Sequence, residues 1–260
     1  QLRVFLHRRP DGLHRYDGYS FKIYRNDPQN KNSLPDNYIS CLFEDSRGNL
    51  VLGLFSGEVC ILNKNNSTFK KLNINQDEKL EIANPVTCIN EDGKGNYLVG
   101  FDGGGVLKYD TAKHQGKTFK INVSPGLNSN VIRCIIKDSY TGKFWIGTSF
   151  GLCEYNPAKE SFERFNTSSK LDSQIITTVL TPEPDKIWIG TYSQGLYQFI
   201  RGGDSAERIK LPKSKGTRFI TFLKKAPKND EIWIGTKGGI IKWDGPKATL
   251  YNNNPLNPES

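Results

Sequence analysis

Aromatic and polar residues recur shortly after a regularly spaced glycine, and they are the residues of this sequence best suited to contact a ligand. Aromatic rings offer flat apolar surfaces for sugar faces, and charged or amide side chains anchor polar groups. The candidate ligand-binding residues are Phe55, Phe101, Asp102, Phe150, Tyr192, Gln194 and Lys237, with Arg8 and Arg9 as further cationic anchors. The alternative is that the aromatic residues pack between neighbouring elements.

Histidine and cysteine are the residues that would perform nucleophilic, acid–base or metal chemistry, and their spacing argues against these roles. His7, His14 and His114 form no H-x-H or H-x-x-x-H pair, which metal sites commonly use. The cysteines form no C-x-x-C pair and are expected to be small buried side chains without disulfides; they are Cys41, Cys60, Cys88, Cys134 and Cys153. We therefore predict no catalytic residue, no metal site and no cofactor.

Acidic residues precede several turns, and a role in shaping those turns explains them. The positions are Glu44-Asp45, Glu91-Asp92 and Asp138. An aspartate at a turn accepts hydrogen bonds from the backbone N–H groups that follow it. The regular oxygen ligands of a calcium loop are missing. A carboxylate pair for glycoside hydrolysis cannot be picked out from the sequence.

The chain is basic, with 36 Lys and Arg against 27 Asp and Glu and a net charge of +9. This balance suits an anionic partner, such as an acidic polysaccharide, nucleic acid or an anionic surface. The densest basic stretch runs from Lys210 to Lys228. Because basic residues are not interleaved with aromatics in a recognition module, we do not expect nucleic-acid binding. No stretch approaches the 18 apolar residues that a membrane-spanning helix needs.

The elements that position these residues are repeats of about 45 residues. A glycine recurs at Gly53, Gly100, Gly147, Gly190 and Gly235, with spacings of 47, 47, 43 and 45 residues. Each repeat contains three short apolar strands separated by turns. A weaker fourth strand is predicted at Phe69–Leu72, Thr118–Ile121, Phe162–Phe165 and Arg208–Leu211. A half repeat precedes them, with Val4–His7 as its second strand and His7 at the glycine position.

Four antiparallel strands repeated at this period are typical of β-propeller blades. A unit of this size buries too little apolar surface to fold alone. The predicted fold is therefore all-β, a propeller with five full repeats and a partial N-terminal one, as part of a seven-bladed ring. Residues 1–260 are expected to form a single incomplete propeller, with blades at 1–36 (partial), 37–83, 84–129, 130–173, 174–217 and 218–250, and 251–260 leading into a next blade.

The repeats resemble the two-component regulator propeller repeat. The resemblance rests on the segment Glu91 to Asn96 (EDGKGN) and on the WIGT motifs at 145–148, 188–191 and 233–236. Two repeats depart from it, with LVLG at 50–53 and YLVG at 97–100 in place of the tryptophan motif. That repeat builds the extracytoplasmic sensor regions of hybrid two-component systems, known especially from gut Bacteroidetes. There such propellers come in pairs, followed by a β-sandwich, a membrane helix and a kinase.

The resemblance implies a periplasmic sensor region that recognises or relays the binding of an oligosaccharide from complex glycan breakdown. The net charge would suit an acidic oligosaccharide. The fragment itself would not be an enzyme, and it would reach the membrane only through a parent sensor histidine kinase. A second propeller or a twin chain is the protein partner that this implies. Two alternatives stay open: a propeller-type polysaccharide lyase or glycosidase, and a protein-interaction scaffold without a small ligand.

Overall fold

The structure, a computed structural model, describes residues 5–9, 11–16, 18–74, 84–165, 170–227, 229–245 and 247–252. For residues 5–9 and 170 only the course of the backbone is described. The chain divides into two compact units, one of residues 1–123 and 130–135 and the other of residues 124–129 and 136–260. The division falls within strand β12.

The secondary structure is almost entirely antiparallel β-sheet, with strands that pair in chain order. The first sheet has three strands, β1 (Phe5–Arg9), β2 (Gly12–Tyr16) and β3 (Phe21–Tyr24). Two four-stranded sheets follow, β4 (Ile39–Glu44), β5 (Leu50–Leu54), β6 (Val59–Asn63) and β7 (Thr68–Lys71), then β8 (Val86–Glu91), β9 (Asn96–Phe101), β10 (Gly105–Asp110) and β11 (Gln115–Phe119).

Three more four-stranded sheets complete the described chain. They are β12 (Ile132–Lys137), β13 (Phe144–Thr148), β14 (Leu152–Asn156) and β15 (Ser161–Arg164); β16 (Ile176–Glu183), β17 (Lys186–Thr191), β18 (Leu196–Ile200) and β19 (Ala206–Ile209); and β20 (Ile220–Lys225), β21 (Ile232–Thr236), β22 (Gly239–Trp243) and β23 (Ala248–Tyr251). One 3₁₀ helix, Lys170–Ser173, precedes β16.

The repeated glycine lies where one sheet packs against the next. A Cβ atom at Gly100 would be 2.6 Å from Ile132 Cγ2 and 2.7 Å from Cys88 Sγ. A Cβ atom at Gly190 would meet Ile220 Cγ2 at 2.6 Å and a methyl group of its own sheet at 2.7 Å. At both glycines these distances leave no room for a side chain, so close packing between sheets explains why glycine recurs at this position of the repeat.

Apolar residues on the facing sides of adjacent sheets form the core of each unit. In the first unit Val51, Val59, Val99 and Leu107 are fully buried in one cluster. In the second unit Leu196, Ile220, Ile234 and Ile241 are buried in an equivalent cluster. A single sheet could not bury these residues alone, and stacking of neighbouring repeats removes them from water.

The prediction of an all-β fold built from four-stranded antiparallel blades is confirmed. The partial repeat differs from the prediction in its register. In a full repeat Gly100 pairs with Val106, and Leu13 is the residue equivalent to Val106. Leu13 pairs with Arg8 and not with His7, so Arg8 occupies the glycine position. A strand is present where Val4–His7 was predicted, but it ends two residues later, since β1 spans Phe5–Arg9, and the assignment of His7 to the glycine position was wrong. The blade boundaries and the seven-bladed ring stay predictions.

The fourth strands begin earlier than their apolar residues indicate. The strand predicted at Thr118–Ile121 is β11, which spans Gln115–Phe119. The strand predicted at Arg208–Leu211 is β19, which spans Ala206–Ile209. Pairing starts right after the connecting turn, as the Asp110–Gln115 partners of β10 and β11 show. The turn, rather than the side-chain pattern, sets where these strands begin.

Candidate functional site

The residue just after the second strand has the same backbone setting in four of the sheets. Its N–H donates to the carbonyl oxygen of the residue that precedes the first strand of its own sheet. The donor–acceptor pairs are Phe55–Tyr38 (2.8 Å), Asp102–Pro85 (2.9 Å), Tyr192–Ile175 (3.0 Å) and Lys237–Phe219 (3.1 Å). We call this place the hairpin-end position. It presents a side chain at the end of each sheet, where Phe55 is 62% exposed.

The hairpin of residues 191–195 is held by hydrogen bonds of the Thr191 hydroxyl group and by a backbone hydrogen bond to the segment before β20. Thr191 Oγ1 donates to the Gly195 carbonyl at 2.7 Å and accepts from the Gln194 N–H at 3.0 Å. The Gly195 N–H donates to the carbonyl of Arg218 at 2.9 Å. Gly195 has a φ of 88°, which glycine adopts without the cost that a side chain adds. The loop that carries Tyr192 and Gln194 is therefore fixed in position.

Tyr192, Phe219 and Lys237 form a contact group that we call the Tyr192 cluster. The rings of Tyr192 and Phe219 lie edge to face, with centroids 5.4 Å apart and an interplanar angle of 85°. Lys237 Nζ lies 4.7 Å from the Tyr192 ring centroid and 4.8 Å from that of Phe219. The ammonium also donates to Tyr192 Oη at 3.3 Å. Tyr192 is 45% exposed, so the cluster offers an aromatic surface and a cation to solvent.

The other predicted residues are divided between the two units. In the first unit, the Phe55 ring lies 6.4 Å from that of Tyr38, and Asp102 pairs with the Arg133 guanidinium at 3.6 Å. In the second unit, Phe150 is 61% exposed and Gln194 is exposed on the Tyr192 hairpin. The structure brings Tyr192 and Lys237 into direct contact, whereas one surface shared by all candidate residues stays a prediction.

Phe101 was predicted as a ligand-binding residue, and the structure contradicts this. Its side chain is fully buried in the core cluster of the first unit. It is the last residue of β9, a strand that is buried on both faces, and it lies one residue before the hairpin-end position. The position after it belongs to the exposed Asp102. The side chains of Arg8 and Arg9, also predicted anchors, lie outside the described residues.

Phe219 is the residue of the Tyr192 cluster that sequence reasoning missed. It precedes β20, and the candidate residues were drawn only from the loops after second strands. A signal was available, because the residue before each first strand lies beside a hairpin-end residue. An aromatic residue in one place and a lysine in the other predict a contact of this kind.

The acidic turn residues accept hydrogen bonds from their own turns, as predicted. Asp45 Oδ1 accepts from the N–H groups of Arg47 at 3.0 Å and Asn49 at 2.7 Å. Asp138 Oδ1 accepts from Tyr140 N–H at 3.0 Å. Both carboxylates also bind a residue of the following sheet, since Asp45 accepts from Tyr97 Oη at 2.8 Å and Asp138 from the Arg201 guanidinium. The turn acids therefore join neighbouring sheets as well as shaping hairpins.

Three of the five cysteines, Cys60, Cys134 and Cys153, are buried as predicted, whereas Cys41 and Cys88 are half-buried. Burial raises the pKa of Cys60 and of Cys153 to about 12, which keeps both thiols protonated and unreactive at neutral pH. Within the described residues, no group of three or more His, Cys, Asp or Glu side chains is arranged to hold a metal ion. The same residues contain no helix with the length and apolar character of a membrane span.

Comparison with known proteins identifies the repeat. The family model described as "Two component regulator propeller" matches residues 33–55 and 126–150. No curated protein matches this sequence. The match at 126–150 contains the WIGT motif at 145–148, and the match at 33–55 covers a repeat that lacks the tryptophan.

Solved structures share the fold over nearly the whole chain. The extracellular domain of BT4673 from B. thetaiotaomicron, described as a one-component and as a hybrid two-component system, has a TM-score of 0.77 at 19% identity, covering 100% of this chain and 33% of that chain. The extracellular domain of the hybrid two-component system BT3049 from the same organism has a TM-score of 0.68 at 20% identity, covering 96% of this chain and 39% of that one. PorZ, a surface component of the type-IX secretion system of Porphyromonas gingivalis, has a TM-score of 0.64 at 11% identity, with coverages of 94% and 31%.

The chain thus spans about a third of the length of these solved relatives. At such low identity the likeness shows the fold, while the family match carries the repeat type. Together they confirm the resemblance drawn from the EDGKGN and WIGT motifs. Two segments of this chain match the two-component regulator propeller model, and the chain shares its fold with solved extracellular domains of hybrid two-component systems.

Proposed function

We propose that this chain is part of the ligand-recognition region of a sensor in a hybrid two-component system, on the periplasmic side of the membrane. The repeat matches and the shared fold support this assignment. In this account the chain binds and relays, and a kinase elsewhere in the parent protein performs the chemistry. A second propeller or a second copy of the chain is the partner proposed for the relay.

The proposed ligand is an oligosaccharide released from a complex glycan, and the Tyr192 cluster is the observation that carries this proposal. The exposed Tyr192 ring, which packs at a right angle against Phe219, offers an aromatic surface on which a sugar ring can stack. The Lys237 ammonium is a donor for sugar hydroxyl or carboxylate oxygens, and the exposed Gln194 amide both donates and accepts. The rigid hairpin means that little ordering is required on binding.

Isothermal titration calorimetry of the 260-residue chain with neutral and acidic oligosaccharides tests this proposal. We expect saturable binding of at least one oligosaccharide, weakened about tenfold or more by Tyr192→Ala, because the aromatic contact is lost. Tyr19→Ala, at an exposed tyrosine of the first unit, is the matched control and should leave affinity unchanged. An absence of heat with every oligosaccharide, or equal losses in both variants, would contradict the proposal.

A further inference from the structure

A basic cleft lies beside the Tyr192 hairpin in the second unit, in a part of the chain that the repeat motifs do not explain. Its volume is about 670 Å³. Arg208, Lys210, Lys213 and Arg218 line it, and Gly195 forms part of its wall. None of the described residues that line it is a carboxylate. We call this feature the basic cleft.

The four cations of the basic cleft are exposed and form no ion pair with any described carboxylate. Basic residues elsewhere in the same unit do pair with carboxylates, as in Lys225–Asp230 at 2.9 Å and Lys143–Glu154. Like charges gathered in one cleft repel each other unless a counter-ion is present. A concave surface lined by a single sign of charge focuses the field and attracts an anion.

The geometry of Arg208 shows that the cleft is closely built against the hairpin. A Cβ atom at Gly195 would lie 3.3 Å from a terminal guanidinium nitrogen of Arg208 and 3.4 Å from its Nε. The guanidinium therefore rests over the backbone of Gly195, where the missing side chain leaves room. Arg208 lies in β19, and Lys210 follows directly after the end of that strand.

The basic cleft adjoins the Tyr192 cluster, because residues that line the cleft are bonded to residues of the cluster along the chain. Gly195 donates its N–H to the carbonyl of Arg218, and Phe219 of the cluster is the next residue. Ile209, Leu211 and Pro212 give the cleft an apolar side. Apolar surface beside fixed cations suits a ligand whose rings carry charged groups.

We infer that the basic cleft binds the anionic groups of an acidic oligosaccharide, whose sugar ring reaches the Tyr192 cluster. This inference rests on the proposed function, and it deepens it by naming the ligand class. Two arginines favour bidentate recognition of a planar carboxylate, and two oxygens of a tetrahedral sulfate group can accept the same pair of N–H groups. Several cations in one cleft indicate a ligand with two or more anionic groups.

Calorimetry at low salt with four probes tests this inference. The probes are tetragalacturonate, a sulfated chondroitin tetrasaccharide, the neutral cellotetraose and a short single-stranded DNA. We expect one of the two acidic saccharides to bind about tenfold or more tightly than cellotetraose. The saccharide that binds distinguishes carboxylate from sulfate. Its affinity should fall as salt is added, because salt screens exposed charges.

The double variant Arg208→Gln with Arg218→Gln should weaken this binding about tenfold or more. Lys224→Gln with Lys247→Gln, which removes two exposed cations of the same unit outside the cleft, should change it less than about twofold. The variant Lys210→Gln with Lys213→Gln removes cleft charge without touching Arg208, and it should also weaken binding. Thermal unfolding monitored by circular dichroism verifies that each variant is folded.

Equal losses in the cleft and control variants would overturn the inference, because binding would then follow net charge alone. Cellotetraose binding as tightly as both acidic saccharides, with loss in Tyr192→Ala, would overturn the cleft assignment and leave the proposed function standing. Binding of no saccharide would overturn both. DNA that binds more tightly than either acidic saccharide, with the same sensitivity to the cleft variants, would overturn the saccharide assignment.

Discussion

The side chain of a buried turn aspartate binds both its own turn and a residue of the following sheet. Asp138 is fully buried, and it accepts from Trp145 Nε1 at 3.0 Å, from its own turn and from Arg201. Arg201 in turn donates from Nε to the Pro184 carbonyl at 2.7 Å. A charge buried this deeply is tolerated because every donor around it is satisfied.

Asp138→Asn should lower the free energy of unfolding by about 2–4 kcal/mol, since it removes the buried carboxylate charge that the half-buried Arg201 guanidinium and the surrounding N–H groups bind. Urea unfolding of the wild type and the variant measures this difference. Asp230→Asn is the control, because Asp230 pairs with Lys225 while 98% exposed, and its effect should be much smaller. Equal losses in the two variants would show that the buried network does not stabilise the fold.

The same carboxylates predict how stability depends on pH. Burial alone would raise the pKa of Asp138, but the Tyr140 N–H and the Arg201 guanidinium outweigh it, so the pKa lies below its ordinary value of 3.8. A carboxyl with a lowered pKa in the fold stabilises above its unfolded pKa, and this contribution disappears as pH falls through the folded pKa. The melting temperature should therefore stay constant above about pH 4 and decrease as the pH falls below that value. The decrease should be less steep in Asp138→Asn than in the wild type. Parallel curves for wild type and variant would contradict this.

The buried thiols give a further prediction about single residues. With pKa values of about 12, Cys60 and Cys153 should resist iodoacetamide at pH 8 in the folded protein. Both should react once the chain is unfolded in guanidinium chloride, since only the thiolate attacks. Mass spectrometry of the alkylated peptides measures this. Rapid labelling of either residue in the folded protein would show that these strands open readily.

Among the sheets, the repeated glycine is the element on which close packing depends. Gly190→Ala should destabilise the fold by about 1–3 kcal/mol, because its methyl group would overlap Ile220. Ile220→Ala in the Gly190→Ala background should cost less than it does alone, because it removes the overlapping methyl group. A double-mutant cycle from denaturant unfolding measures this coupling. Fully additive effects would mean that the contact does not set the glycine spacing.

The glycine spacing made the blades predictable because every repeat meets the same packing constraint. Hairpin length was not predictable in the same way. The repeated glycine pairs with a residue of the third strand. That residue is six positions later in sequence for Gly100, which pairs with Val106, but five positions later for Gly147, which pairs with Leu152. The half repeat uses the shorter hairpin, which places Arg8 and not His7 at the glycine position. Without pairing information, the sequence cannot distinguish the two lengths.

The candidate site was predictable only in part, for a related reason. The loops after second strands contain Tyr192 and Lys237, which the sequence picks out by their common position. Their contact joins residues 45 apart and requires knowing how neighbouring sheets stack. Phe101 was misjudged because β9 is buried on both faces up to its last residue, and exposure begins only at Asp102.

For the molecule as a whole, the last described sheet presents an unusual apolar face. Phe222, Ile240 and Tyr251 are exposed, and register places them in one row with Gly235 across β20–β23. The matching residues of the β8–β11 sheet, Val106 and Phe119, are buried. In the preceding sheets the equivalent row is covered by the next sheet, as the approach of Ile132 to Gly100 shows. The exposed row is therefore a surface on which a further β-sheet can pack, and a second copy of the chain can supply one.

We expect the 260-residue chain to self-associate through this row. Phe222→Ser with Ile240→Thr should shift sedimentation velocity profiles towards the monomer, because the row then loses most of its apolar area. Phe150→Ser, at an exposed aromatic residue outside the row, should leave the profile unchanged. A chain that is monomeric at every concentration, or an unaffected double variant, would contradict this expectation.

At the scale of the whole molecule, we propose that one region of the second unit recognises the saccharide. Backbone amide chemical shifts, recorded while tetragalacturonate or the sulfated tetrasaccharide is added, test it most directly. We predict saturable shifts concentrated in residues 192–195 and 208–219, which contain the Tyr192 hairpin and the basic cleft. Absence of saturable shifts, or shifts confined to the first unit, would contradict the account.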